Sequence, residues 1–183
     1  MGRLLTDATH QPLRAQLDTI MKNTDAHGLG RQLPRVEGLA RRHPHSIRPL
    51  VNASANQPDA LEFNCHAYTL GLRAQRRGSL LLFPDRVFIR QLIDAGILSE
   101  IDETDCRNGD IIFYHKGGLI EHSGVWHQGR VRSKWGTGHV WEHAVHEVPL
   151  RYGDEVRFYR QVAQERSEAA FAAFVRTWKP GQR

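Results

Sequence analysis

Cysteine is scarce in this chain: 183 residues hold two, Cys65 and Cys106. Two thiols cannot build a disulfide framework, so nothing calls for an oxidising compartment. Long apolar runs are missing as well. The opening "MGRLLTDATHQPLR" has no stretch of signal-peptide length, and no later segment reaches membrane-spanning length. The expectation is a protein made in the cytoplasm and soluble there, with no membrane partner, leaving the cell only by a route that ignores signal peptides. No internal repeat is present, and Gly117-Gly118 is a hairpin turn, far too short to cradle a phosphate.

Hydrophobic residues make up 40 % and charged residues 25 %, the balance of an ordinary globular domain long enough to bury a core without staples. The net charge of +5 suits an anionic partner. Its basic residues are scattered, however. "RRHPHSIR" and "RAQRR" are short and do not alternate with aromatics, which argues against a nucleic-acid groove.

Leu13, Leu17, Ile20 and Met21 recur at helical spacing over residues 12–22. Residues 23–60 show prolines, glycines and no period, and read as extended chain wrapped on the surface or as partial disorder. A helix should open at Cys65 and run to about Arg77, stopped by Gly78. A second should span Pro84 to Ala95 with Phe88 and Leu92 on one face. From Gly109 the pattern changes to short β-rich runs, "DIIFYHK", "LIEHSGVW", "GRVRSKW", "HVWEHAVHEVP" and "DEVRFYR", separated by glycine turns. That spacing predicts an antiparallel meander. Phe171, Phe174, Val175 and Trp178 then share a stripe of a closing helix. Helices followed by strands give an α+β class. The organisation expected is a helix and irregular segment over 1–60, a core over 61–162 and a terminal helix over 163–183, in one domain.

Chemistry centres on "EFNCHAYTLGL". A thiol at a helix start faces unpaired N–H groups and the positive end of the dipole, a setting that favours the thiolate. Such a nucleophile needs an imidazole base and a third group to orient the ring. Among eleven histidines, His122 stands out because it opens "HSGVW", where Ser123 and Gly124 are small enough to admit another element. Cys106, in a turn before a strand, reads as structural.

Asn-Cys at a helix start, then "NGDIIFY", "HSGVW", a tight turn and "GRVRSKWG" resembles the NlpC-type papain-like cysteine peptidases and amidases. The resemblance covers about residues 60–160. It implies a helix-borne Cys packed on a small antiparallel sheet, here with extra N- and C-terminal helices, with Cys65 as nucleophile and His122 as base. The third polar position of that pattern falls on Ser133, a departure from the usual His, Asn or Gln. His139 is an equal alternative and His143 a more remote one. The resemblance also implies an oxyanion met by the Cys65 N–H and a neighbouring donor.

His139, His143 and His146 invite a zinc reading, but "HVWEHAVHEVP" alternates like a strand, which sends His143 and His146 to opposite faces. The tryptophans Trp126, Trp135 and Trp141 read as core and rim packing, with room for one or two beside a substrate groove. The activity expected is amide cleavage through a thioester, with no metal or organic cofactor. By resemblance the substrate is the peptidoglycan stem peptide, delivered as an antibacterial effector or lysin, with an immunity protein in a producing cell. The rivals are a protease, deamidase or acyltransferase acting on a protein substrate, and a non-catalytic binding module on the same fold.

Overall fold

The computed structural model describes residues 2–22, 26–51, 63–136 and 138–179. Within them the chain runs β1 (Arg3–Leu4), α1 (Gln11–Ile20), α2 (Ala26–Leu39), β2 (Arg48–Val51), α3 (Cys65–Leu70) and the hairpin β3 (Gln75–Arg77) to β4 (Leu80–Leu82). It continues through α4 (Arg86–Asp94), β5 (Glu100–Ile101), β6 (Ile111–Lys116), β7 (Leu119–His127), β8 (Arg130–Lys134), β9 (Val140–His143), β10 (Glu155–Tyr159) and α5 (Gln164–Thr177). The class is α+β, as composition and order suggest. No helix among the described residues is long and apolar enough to cross a membrane.

The main sheet has the order β1-β10-β6-β7-β8-β9-β2, with β5 on a free stretch of β10, and its pairs are antiparallel. "IIFY" at its centre is unbroken in apolarity because β6 is covered on both faces. Ile112 and Tyr114 join Leu13 and Leu17 of α1 and Val36 and Leu39 of α2 in one core. Ile111 and Phe113 join Leu70 of α3, Phe88 and Leu92 of α4, and Phe171 and Phe174 of α5 in the other. The sheet is therefore a filling between two helical layers, and the period-2 alternation of β6 assigns its residues to one or the other.

Three expectations change. Residues 26–39 are helical rather than irregular: Pro34 and the glycines hide the period, but Val36 and Leu39 are buried against the α1 layer, and packing overrides propensity. Residues 52–62 lie outside the described residues. The Cys65 helix stops at Leu70, not Arg77, because Gly71 takes a left-handed φ of 64° and returns its N–H to Ala67 and Tyr68. Residues 75–77 then become strand. Finally, His122 is not a strand start, since β7 begins at Leu119.

Arg14 is fully buried on α1. Its guanidinium donates to the carbonyls of Val148 (3.1 Å), Leu5 (2.9 Å) and Gly153. Three carbonyls on two other segments satisfy a charge that burial would otherwise make costly. On the opposite layer Asp85 caps α4, its Oδ1 accepting from the N–H groups of Val87 and Phe88 at 3.0 Å each.

Phe171 is the best-enclosed side chain of α5, with ring centroids 5.0 Å from Phe88 and 6.2 Å from Phe174. Phe171→Ala should cost about 3–5 kcal/mol. Urea denaturation would show this as a lowered midpoint, and an unchanged midpoint would mean that α5 contributes little to the core.

Candidate functional site

Residue 65 begins α3 because Asn64 can cap it. The Asn64 Oδ1 accepts from the Ala67 N–H at 2.7 Å, and its Nδ2 donates to the Pro84 carbonyl at 2.6 Å. One side chain thus fixes both the helix start and the approach to α4. From there α3 lies on β7 and β8.

The sheet has a defect at that place. Tyr114 pairs with His122 but His115 pairs with Ile120, so Glu121 is an extra residue in β7. This β-bulge flips the alternation: Ile120 packs into the α4–α5 layer, while His122 turns to the α1 layer. Ser123 then faces α3, and its Oγ lies 2.8 Å from His66 Nδ1. Across the strand, the β7–β8 ladder runs only from His127↔Arg130 to Val125↔Arg132. Continued, it would set Lys134 opposite Ser123, but no pair forms. The Cys65 sulfur enters beside this unzipped stretch, where the Ser123 N–H and hydroxyl both face it. Gly124 has a different duty from the one its size suggested: a Cβ there would lie 2.5 Å from Val131 Cγ1 and 3.0 Å from the Arg132 carbonyl, so it admits β8 rather than the helix.

Cys65 and His122 line one pocket of about 770 Å³, together with Tyr152, Gly136 and residues of the β4–α4 segment. His122 is fully buried, and neither ring nitrogen has a hydrogen-bond partner among the described residues. What fixes the ring is stacking. The Tyr152 ring lies 3.8 Å away at 8°, and Tyr114 is tilted at 5.6 Å. Burial, reinforced by neighbouring His66 and His143, holds the imidazole neutral, its pKa well below the ordinary value.

Cys65 is half-buried, open to the pocket and otherwise surrounded by protein. Burial pushes its thiol up to about 11, against the pull of the Ser123 N–H and hydroxyl and of the His66 and Cys65 N–H groups. The expectation of a thiolate at the helix start is overturned: desolvation outweighs the N–H groups, and the resting sulfur is a thiol. Lys134, buried and donating to the Gly138 carbonyl at 2.8 Å, is lowered by burial to about 8, with Cys65 the opposing influence. Cys106 lies elsewhere, part-buried against the α1-side core, its Sγ 3.9 Å from the Asp102 carbonyl.

The remaining candidates sit apart from this pair. Ser133 does not meet His122. Its Oγ accepts from Trp135 Nε1 at 2.9 Å and lies 2.8 Å from His143 Nε2, and His143 Nδ1 reaches the Ala144 carbonyl at 2.8 Å. Ser133 therefore orients His143, for a geometric reason: it shares its face of β8 with Val131, deep in the α1-side core. His139 is buried edge-on to Trp141 at 5.6 Å and does not line the pocket. Both ring nitrogens of His143 are engaged, and His146 stacks on His10 at 3.6 Å, so the three histidines do not converge. Among the described residues no group of three possible ligands could hold a metal ion. Trp135 and Trp141 are core, and it is Trp178, at the end of α5, that reaches the pocket. Tyr152, Ser123 and Lys134 are what the sequence did not disclose as site residues. "RYGD" reads only as a turn, and nothing local marks a ring that will stack on a histidine thirty residues earlier.

The buried histidines make stability depend on acid. His66 and His143 are each lowered to about 4 by burial. A folded-state value below that of the unfolded chain means the unfolded chain binds the proton first as pH falls past 6.5. Stability is then full above pH 6.5 and is lost down to about pH 4, by roughly 3 kcal/mol for each histidine. Urea titrations at pH 7.5 and 4.5 should show the drop, and His143→Gln should shrink it. Equal stability at both pH values would contradict the burial of neutral rings. No family model, no curated protein and no solved structure matches this chain.

Proposed function

We propose that the protein is a cysteine hydrolase that cleaves an amide bond through a thioester at Cys65, on an NlpC-type papain-like architecture. One observation carries this reading: a helix-borne thiol and an imidazole with both nitrogens unengaged among the described residues line the same pocket. A helix with its cysteine against an antiparallel sheet, and a histidine on the strand after the Gly-Asp strand, is the arrangement that the resemblance implies.

The electrostatics define how the pair would work. Thiol and imidazole are both neutral at rest, so there is no standing ion pair to attack with. A ring nitrogen of His122 takes the thiol proton as sulfur bonds to the carbonyl carbon. The Cys65 N–H is the donor at hand for the oxygen that becomes negative. His122 then gives its proton to the amine nitrogen as the C–N bond breaks. Water adds to the thioester carbon with His122 again accepting a proton, and the acid leaves as the thiol is restored. The Ser123 hydroxyl and N–H stabilise sulfur whenever negative charge develops there. Tyr152 keeps the ring in place by its stacked face, in the role that a polar third residue has in the related pattern.

The resemblance brings the cell-wall stem peptide with it as substrate, and the charge of +5 suits that anionic polymer. The rival reading of a binding module is disfavoured by His122: burying an imidazole that has no partner among the described residues is costly, and a proton-transfer role gives a reason for it.

Wild-type protein should release amine from N-acyl p-nitroanilides or stem-peptide fragments. Cys65→Ala should release none, and His122→Gln should lower kcat/KM by about 10²–10⁴. The kcat/KM profile should rise from acid through a pKa below 6.5 and stay level toward about 11, because the two groups are pushed apart. Release that persists in Cys65→Ala overturns the mechanism, and a bell centred below pH 7 overturns the neutral pair.

A further inference from the structure

We infer that the group Cys65 accepts is a neutral, apolar acyl chain. This rests on the thiol-hydrolase reading and names its substrate class, in place of the carboxylate-bearing stem peptide that the resemblance alone would bring. The pocket wall beside the sulfur is built from Phe63, Leu82, Val87, Ile120, Tyr152 and Trp178. Three charged side chains line it, and each is already engaged. Asp85 is spent on the N–H groups of α4, and Arg86 pairs with Glu121 at 3.5 Å. Among the described lining residues, then, no uncommitted cation stands ready to receive a carboxylate. An acidic acyl group would lose its water there and gain no partner, whereas a hydrocarbon chain would leave water for a matching wall.

A second observation points the same way. The β3–β4 hairpin is held to the end of α5 by Arg77, which donates to the carbonyls of Val175 (2.9 Å) and Trp178. Its Leu81 lines the pocket yet is 41 % exposed, and the adjacent Leu80 is 47 % exposed. Apolar surface thus continues from the wall out to solvent at the side of the cavity, where a chain longer than the wall would extend. A volume of about 770 Å³ lies within the range of sites that enclose most of a small organic ligand.

The acyl series of p-nitrophenyl esters isolates this preference from the identity of the leaving group. The Cys65 sulfur bonds to the acyl carbon, the C–O bond breaks, and p-nitrophenol leaves with the thiol proton passed through His122. Full-length protein is mixed with the acetate, butyrate and octanoate esters and with mono-p-nitrophenyl glutarate. Nitrophenol release gives kcat/KM, and intact mass followed by peptide mapping locates the acyl group. The expected result is a rise of about fourfold per methylene from acetate until the wall is covered, with the glutarate at least tenfold slower than the butyrate. Leu81→Asp, on an exposed position, should cut the octanoate-to-acetate ratio severalfold, and Val87→Thr is the second variant should that protein not fold. Acylated Cys65 with no dependence on chain length, or with the glutarate preferred, overturns the apolar substrate class and leaves the hydrolase standing. Finding, with every ester, no adduct on Cys65 and no nitrophenol release above that of Cys65→Ala overturns the hydrolase reading, and the substrate class with it.

Discussion

The site depends on a single constraint: β7 is covered on both faces, by α3 and α4 on one and by the turn carrying Tyr152 on the other. Adjacent residues of such a strand must serve different layers, and here the extra residue Glu121 decides which serves which. It turns His122 toward Tyr152 and Tyr114, leaving Ser123 to meet His66 and the sulfur. Without the bulge, the 3.8 Å stack on Tyr152 and the Ser123 contact with α3 would not both be made. The unzipping of β8 from β7 beyond Val125 supplies the second half of the arrangement, because a closed ladder would leave the sulfur no place beside the strand.

Burial then sets the chemistry. The same desolvation that raises the thiol to about 11 lowers the imidazole, and the two effects move the pair away from ionisation together. Short-range donors from Ser123 and the start of α3 recover part of the thiol's shift but do not reverse it. A helix of six residues, Cys65 to Leu70, presents few aligned peptide units, and its dipole is a weak rival to burial. The pair therefore rests without charge, and the proposed attack must move a proton rather than draw on a standing ion pair.

Much of this was legible in the sequence, unevenly. Glycine turns between β-rich runs gave the order β6–β9, and the stripe of Phe171, Phe174 and Val175 marked α5 correctly. Asn64-Cys65 showed a capped helix start because capping is local chemistry. What escaped was non-local. Helix α2 survives Pro34 only through its contacts with α1, and α3 ends early because Gly71 takes the left-handed cap where Arg73 to Arg77 look helical by propensity. The bulge at Glu121 has no sequence mark at all. The resemblance places Ser133, level with His139, beside the base, whereas depth in the core hands Ser133 to His143.

Arg14 gives the N-terminal region a meaning beyond packing. By gripping the carbonyls of Val148 and Gly153, α1 clamps both ends of the segment from which Tyr152 projects. The tyrosine in turn sets the plane of the imidazole. An arm that lies outside the resemblance therefore bears, through Tyr152, on how His122 is set. Displacing α1 would free the segment that carries Tyr152, and with it the stack on His122, from outside the pocket.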